Sequence, residues 1–284
     1  MKYRVVCPAK INEFLAVGLP DERQYHPVET VMQAVSLGDI LEIEVGIAGL
    51  DDVQFSRAAG LEFDWEPIPS ANTITKALLL LRTRIDLPAM RVEVQKFVPT
   101  ESGLGGGSSD AAGILRFAQF LHPEALSDAT LAELASMIGA DVTFFLHGGR
   151  ALATGFGEQI RPLNDLPTRW MVIARPGVGC STRDMYMKLD ATERPLVTYR
   201  GDVGHNDFER VAPCESLELL DRLRSVGAVI ANLTGSGSAT FGFFTNERAA
   251  QWAANRLEEE GVPFVRVACT VPRMTDRQHG IFEL

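Results

Sequence analysis

The sequence has little of what membrane-spanning, secreted or disulfide-stabilised proteins require. Its cysteines, Cys7, Cys180, Cys214 and Cys269, are far apart and form no CxxC pair, so neither a disulfide framework nor a zinc site is predicted. Its apolar runs, such as ALLLL, are far shorter than the roughly 20 residues of a membrane-spanning helix. The first residues lack the apolar stretch and small-residue cleavage site of a secretion signal. We therefore expect a cytoplasmic protein.

Positive charge is also scarce. Lys and Arg number 27 against 37 Asp and Glu, which gives a formal net charge of −10. Such a chain is poorly suited to broad binding of nucleic acid or anionic lipid, because both require a positive field. A small anionic substrate is still compatible if local donors hold it. We expect a small-molecule substrate, no nucleic-acid or membrane partner, and a monomer or weak homodimer.

The pattern of elements predicts an α+β protein with two domains. The 284 residues, 46% of them hydrophobic, correspond to about two domains of roughly 150 residues. In the first half, strands are predicted at 4–17, 28–35, 40–45 and 90–98, and helices at 72–84, 108–121 and 126–138. The second half has the ferredoxin-like order, with strands at 170–174, 228–233, 239–244 and 264–270 and helices at 214–225 and 247–259. The predicted domains are residues 1–160 and 161–284.

A glycine-rich loop, PTESGLGGGSSDAAG at 99–113, is the sharpest local feature. It lies between a predicted strand and a predicted helix, where backbone amides and the helix dipole both favour phosphate. Ser108 stands where a Rossmann loop has its third glycine, and no GK[ST] follows as in a Walker loop. The loop therefore predicts a phosphate site of another kind. A flexible linker or a simple helix cap is the alternative.

Three further features are ambiguous by themselves. The segment TGSGS at 234–238 joins two predicted strands, and a glycine hairpin turn is its simplest interpretation. Lys10 lies in an apolar strand and Asp141 in the apolar segment GADVTFF, where each could equally be a solvated residue on an exposed face. Together they could supply the base and the positive charge that phosphoryl transfer requires.

Six motifs in order resemble the GHMP kinases, a family named for galactose, homoserine, mevalonate and phosphomevalonate. They are PAKIN at 8–12, YH at 25–26, GLGGGSSDAA at 103–112, GAD at 139–141, NDFE at 206–209 and TGSGSATF at 234–241. The YH pair shortly after PAKIN, the triple glycine followed by SSDAA and the overall length resemble in particular the branch whose substrate is a cytidine diphosphate-linked methylerythritol on the non-mevalonate route to isoprenoids. The resemblance implies a cleft between an N-terminal domain with the glycine loop and a ferredoxin-like C-terminal domain.

The resemblance also implies residue roles. ATP with Mg²⁺ would be the phosphate donor, Asp141 the base for the substrate's 2-hydroxyl, and Lys10 the cation beside it. Tyr25 and His26 would stack on or hydrogen-bond the cytosine ring, and the other substrate-binding residues implied are Asn12, Thr182, Tyr186, Gly235 and Gly237. The ATP-binding residues implied are Asn72 near the adenine and Pro99, Thr100, Glu101, Ser102, Gly103, Leu104, Gly105, Gly106, Gly107, Ser108 and Ser109 in the loop. No carboxylate is assigned to Mg²⁺, which phosphates and water commonly hold.

The sequence departs from the family pattern at a few positions. Thr100 and Glu101 stand where small or apolar residues are usual, and an anionic side chain near a triphosphate is unfavourable unless it points away or meets the metal. Gln24 replaces a glycine that commonly precedes YH, and Thr143 replaces a proline. Two other functions stay open: another small-molecule kinase of the family, and a nucleotide-binding sensor without turnover.

Overall fold

Two β-sheets organise the computed structural model, which describes residues 1–58, 70–201, 203–274 and 279–284. Its strands are β1 (Lys2–Val17), β2 (Val28–Val45), β3 (Asp52–Arg57), β4 (Met90–Lys96), β5 (Arg150–Thr154), β6 (Gln159–Pro162), β7 (Trp170–Arg175), β8 (His205–Asn206), β9 (Ile230–Leu233), β10 (Thr240–Phe244), β11 (Phe264–Cys269) and β12 (Ile281–Glu283). Its helices are α1 (Thr73–Arg82), α2 (Gly106–Leu121), α3 (Asp128–Ile138), α4 (Ala140–Phe145), α5 (Thr182–Asp190), α6 (Cys214–Ser225) and α7 (Glu247–Glu259).

The larger sheet is built on the long antiparallel pair of β1 and β2, and its main order is β12-β1-β2-β4-β3. The β1–β2 register shifts between Pro8 and Ala9 and again between Asn12 and Phe14. The first shift skips Ser36 and Leu37 on β2, and the second skips Glu13 on β1. Such irregularities redirect side chains, and the two of them flank the segment that carries Lys10. Helices α1 to α4 supply the other half of a core in which the side chains of Leu41, Phe117 and Phe144 are buried.

Helix α2 packs closely on β1, and this contact places the start of the helix. A Cβ atom built on Gly113 would lie 2.4 Å from the Cys7 sulfur, so only glycine allows the observed approach. One turn earlier, the Ser109 hydroxyl donates to the Pro8 carbonyl over 2.7 Å. The first turn of α2 is therefore fixed beside the part of β1 where the register with β2 shifts.

The smaller sheet has the strand order β11-β7-β10-β9 and is antiparallel throughout. With α6 after β7 and α7 after β10, this is the predicted ferredoxin-like arrangement. One face packs on α6 and α7 through residues such as Leu223 and Leu257. The other face shares a core with the larger sheet, where Ile173 and Phe241 meet Ile11 and Leu104. The predicted α+β class is confirmed, and this shared core holds the two sheets against each other.

The two predicted strands at 28–35 and 40–45 are one strand, β2. The polar Ser36 to Asp39 segment does not end the strand, because Gly38 pairs with Pro8 next to the first register shift between β1 and β2. A Cβ atom on Gly38 would lie 2.5 Å from the Cys7 carbonyl oxygen, so this glycine serves close strand approach and not a turn.

The division at residue 160 stays a prediction. Strand β6 spans that position and pairs with β5 of the larger sheet. Two short strands from the second half, β8 and β12, also pair with β1. Within the described ranges, no helix has the length and apolar character needed to cross a membrane.

Candidate active site

The glycine loop joins the end of β4 to the start of α2. Gly103 and Gly105 have positive φ angles of 76° and 75°, and Gly105 is the N-cap residue of α2. The first intrahelical bond runs from the Ser109 amide to the Gly105 carbonyl, so the amides of Gly106 and Gly107 precede it and have no intrahelical acceptor. The loop is therefore a cradle of backbone donors at a helix N-terminus, which fits an anionic phosphate.

A buried charge cluster fixes both ends of this loop. At the β4 end, the Asp39 carboxylate accepts hydrogen bonds from the amides of Phe97 and Val98 at 2.6 and 2.8 Å. The Lys96 ammonium contacts Asp39 and also reaches Asp110 on α2 at 2.7 Å. Burial opposes the charged form of Lys96, but the two carboxylates outweigh it and raise its pKa, while burial raises the pKa of Asp110 to about 7.

The second glycine segment is a hairpin turn between β9 and β10, and it is also a wall of the site. The Thr234 amide donates to the Ala239 carbonyl at 3.1 Å, which closes the turn. The Ala239 amide donates in turn to the Ser102 carbonyl at 3.1 Å. A Cβ atom on Gly103 would lie 2.1 Å from the Thr234 carbonyl oxygen. The glycine loop (99–113) and the hairpin turn (234–238) thus contact each other where the two sheets meet. We call this contact the clasp.

Replacing Gly103 by Ala is expected to open this clasp. The positive φ alone costs about 1–2 kcal/mol for a residue with a Cβ, and the contact with Thr234 forces the two segments apart. We expect a lower free energy of unfolding in urea and a higher KM for ATP. Gly46→Ala is the matched control, because Gly46 has a φ of 81° and no atom within 4 Å of the added Cβ. An unchanged KM for ATP in Gly103→Ala would contradict this role of the clasp.

Glu101 bends the loop toward the C-terminal half of the chain. Its φ is 50°, and its carbonyl accepts a hydrogen bond from the Cys180 amide at 3.3 Å. Its carboxylate lies beside the backbone of Gly179, since a Cβ atom there would be 2.8 Å from one carboxylate oxygen. An anionic side chain at position 101 was expected to be unfavourable near a triphosphate unless it pointed away. The Glu101 carboxylate is directed toward Gly179, which is not part of the glycine loop.

Lys10 and Asp141 come together in the same cleft. The Lys10 ammonium lies 3.8 Å from an Asp141 carboxylate oxygen, with side-chain exposures of 4% and 39%. Burial lowers the pKa of Lys10, and the charge of Asp141 opposes that shift. Lys10 is held in β1 by a bond from its amide to the Leu104 carbonyl at 3.0 Å. The pair thus offers a partly solvated carboxylate next to a buried cation.

Asn12 connects this pair to the hairpin turn. Its side-chain oxygen accepts from the Lys10 ammonium at 2.6 Å and from the Gly235 amide at 2.8 Å. Its amide group donates to the Thr30 hydroxyl at 2.7 Å. The side-chain oxygen and amide group of Asn12 are therefore engaged within the protein, and Asn12 orients Lys10 as well as lining the cleft. Its predicted substrate contact stays a prediction.

An aromatic group lies at the far end of the same cleft. The Tyr186 ring lies 4.8 Å from the His26 ring and packs edge-on against Phe208 at 4.9 Å. Tyr25 is 63% exposed and meets Phe156 edge-on at 6.0 Å. The ring faces of this group suit a planar, partly apolar ligand. Burial, with smaller effects of nearby carboxylates, raises the pKa of Tyr186 to about 12, so its phenol stays protonated at neutral pH.

The cleft has a volume of about 530 Å³. Most of the predicted site residues line it: Lys10, Asn12, Pro99, Thr100, Glu101, Ser102, Gly103, Gly105, Gly106, Gly107, Ser108, Asp141, Thr182, Tyr186 and Gly235. Other lining residues were not predicted from the sequence, among them Thr30, Lys96 and Phe156. These come from segments without a motif of their own and join the site only through the fold.

Six predicted site residues do not line this cleft. Leu104 and Ser109 are buried and support the loop from behind, and Gly237 packs behind the hairpin turn beside Leu233 and Cys180. Asn72 caps α1 by accepting from the amides of Ile74 and Thr75, and it borders a neighbouring concavity. Tyr25 and His26 lie next to lining residues. Their direct ligand contacts stay predictions.

Residues 72–149 match the GHMP kinases N terminal domain, and residues 206–263 match the GHMP kinases C terminal domain. A protein of Listeria monocytogenes named 4-diphosphocytidyl-2-C-methyl-D-erythritol kinase is 34% identical, with 90% of this chain and 92% of that protein covered. The chain belongs to the GHMP kinase family. This GHMP kinase is thus an ATP-dependent small-molecule kinase.

Two more similarities support the same branch of the family. A Shouchella clausii protein of the same name is 32% identical to this GHMP kinase, with 96% of this chain and 97% of that protein covered. A solved structure described as 4-(cytidine 5'-diphospho)-2C-methyl-D-erythritol kinase superposes with a TM-score of 0.76 at 29% identity. It covers 94% of this chain and 98% of that one. The GHMP kinase therefore has relatives of matching length and architecture throughout.

Proposed function

We propose that this GHMP kinase transfers the γ-phosphoryl group of ATP to the 2-hydroxyl of 4-diphosphocytidyl-2-C-methyl-D-erythritol, on the non-mevalonate route to isoprenoid precursors. The observation that carries the proposal is the Lys10–Asp141 pair, 3.8 Å apart, on a wall of the cleft that the glycine loop also lines. The relatives in Listeria and Shouchella that bear this name match the chain over nearly its whole length.

Asp141, Lys10 and Asn12 have different roles in the proposed phosphoryl transfer. Asp141 accepts the proton of the 2-hydroxyl as that oxygen forms its bond to the γ-phosphorus, and the bond from this phosphorus to the β–γ bridging oxygen breaks, which releases ADP. Lys10 stabilises the negative charge that develops on the attacking oxygen and the transferred group. Because Lys10 is buried, its charge is little screened by water. Asn12 keeps the ammonium directed at Asp141 through the 2.6 Å bond.

The loop and the start of α2 would hold the phosphates of ATP. The amides of Gly106 and Gly107 are donors at a helix N-terminus, which suits an anion without requiring a positively charged surface. Bound ATP supplies the reactive γ-phosphoryl group. Mg²⁺ is proposed to enter with ATP and to be held mainly by phosphates and water, since no cluster of three or more His, Cys, Asp or Glu in the described residues suits a metal ion.

The aromatic end of the cleft would hold the cytosine. Tyr186 lines the cleft together with Phe156, and Tyr25 packs against Phe156. Stacking on aromatic faces suits a flat pyrimidine ring.

For the intact protein we further propose a cytoplasmic location and a monomer or weak homodimer. The cytoplasmic location is supported by the substrates, because ATP and a diphosphate-linked alcohol are charged molecules of the aqueous phase.

Substrate choice tests the proposed function directly. ADP formation is measured with MgATP and, in separate reactions, 4-diphosphocytidyl-2-C-methyl-D-erythritol, mevalonate and homoserine. We expect turnover with the first substrate alone, because only that substrate can use the aromatic end of the cleft. Turnover with another alcohol instead would overturn the substrate assignment. ATP binding without turnover on any of the three would indicate a sensor.

A further inference from the structure

We propose that Asp190, at the end of α5, is a positioning residue for the substrate: it holds the His26 ring, and His26 supports the Tyr186 ring from behind. This inference rests on the proposed function, because it takes the Tyr186 end of the cleft as the place where the pyrimidine binds. Asp190 belongs to none of the motifs found in the sequence, and no residue beside it in the chain would have indicated such a role.

The contact between Asp190 and His26 is well defined. The Nε2 atom of His26 lies 2.8 Å from Oδ1 of Asp190, and the side-chain exposures are 7% and 38%. An ionised carboxylate can accept hydrogen bonds but cannot donate them. The proton of this bond therefore lies on Nε2, which donates it. The bond therefore fixes both the rotation of the imidazole and the position of its Nε2 proton. His26 is almost enclosed, in contrast to its neighbour Tyr25.

The orientation of His26 matters through Tyr186. The two rings lie 4.8 Å apart with an interplanar angle of 31°, which is a tilted stack. Phe208 packs edge-on against Tyr186 at 88°. Tyr186 lines the cleft, while His26 does not. The imidazole consequently acts on a ligand through the phenol ring that it supports, and a rotated imidazole would leave Tyr186 with fewer contacts on that side.

Helix geometry explains why one carboxylate can serve this purpose. Tyr186 and Asp190 are four residues apart on α5, so their side chains leave the same face of the helix. His26 comes from the segment before β2 and meets both of them. Arg194 anchors the end of α5 by donating to the Leu189 carbonyl at 2.8 Å and to the Gly18 carbonyl at 3.3 Å. The His26–Asp190 bond is a second tie between α5 and the segment that follows β1.

The experiment measures steady-state kinetics of Asp190→Ala with 4-diphosphocytidyl-2-C-methyl-D-erythritol and with ATP. We expect KM for the cytidylyl substrate to rise about 3- to 10-fold, the loss expected for one net hydrogen bond. This rise should exceed any change in kcat and in KM for ATP. Asp190→Asn keeps an acceptor oxygen at this position and should restore most of the affinity. Asp184→Ala, on the exposed first turn of α5, removes the same charge without touching a ring.

Three further variants make the result decisive. His26→Ala should raise KM for the cytidylyl substrate by a similar factor, and the double variant His26→Ala/Asp190→Ala should add little, because both changes break one chain of contacts. A normal KM in Asp190→Ala beside a raised KM in Tyr186→Ala would overturn the positioning role and leave the proposed function intact. A normal KM in all of these variants would overturn the pyrimidine site itself. A parallel fall in kcat and rise in both KM values would indicate a general structural defect and would also overturn the role.

Discussion

Replacing Asp141 by Asn is expected to lower kcat by about 10²–10⁴-fold, the usual contribution of a positioned general base. Asparagine has nearly the same shape as aspartate, but its amide cannot accept the proton of the attacking hydroxyl. The fold should tolerate the change because the Asp141 side chain is 39% exposed and its ion pair with Lys10 is long, at 3.8 Å. ATP affinity should be spared, since Asp141 belongs to α4 and is not part of the glycine loop.

The measurement combines single-turnover phosphoryl transfer with a direct titration of ATP binding. Asp221→Asn is the matched control, because Asp221 pairs with Arg224 on the surface of α6 and has a side-chain exposure of 79%. That control should keep wild-type kcat. If Asp141→Asn retained near wild-type turnover, the base would have to be sought elsewhere, and the role of Asp141 would fall. Loss of ATP binding along with turnover would instead show that Asp141 supports the nucleotide site.

Elements with a clear apolar period were predictable from the sequence. Helices α6 and α7 have the predicted bounds, because their apolar side chains recur at helical spacing and their partners lie close in the chain. Helix α4 was missed: its six residues, ADVTFF, are too few to show a period and include only one polar face residue besides Asp141. Strand β3 was missed because its exposed edge position permits polar side chains in DVQFSR.

The candidate site, like the fold, was predictable from the sequence only in part. The glycine loop was recognisable because its function depends on local backbone conformation, which glycine spacing reveals. The approach of Lys10 to Asp141 depends on two register shifts between β1 and β2 and on the short helix α4, neither of which has a local signature. The role of Asp190 could not be predicted from the sequence, since acidic residues are common near helix ends. Only the fold brings it to His26.

Replacing Lys10 by Met is expected to lower kcat by about 10²–10³-fold, similar to the loss of one preorganised electrostatic group in other active sites. Methionine is unbranched and of similar length, so it can occupy the buried channel of the lysine stem. The protein should remain folded for two reasons. Burial already lowers the pKa of Lys10, so its charged form contributes little to stability, and the oxygen of Asn12 keeps its bond from the Gly235 amide at 2.8 Å.

The matched control is Lys2→Met on the same strand. Lys2 also lies 3.8 Å from a carboxylate oxygen, that of Glu44, but its side chain is 65% exposed. An exposed pair of this kind contributes little, so kcat and the urea unfolding midpoint should both stay at their wild-type values. In Lys10→Met, kcat should fall while the midpoint moves little. The double variant Lys10→Met/Asp141→Asn should be less impaired than the product of the two single losses, because the cation and the base act on one proton transfer. Fully multiplicative losses would show that the two residues act independently and would contradict a shared role.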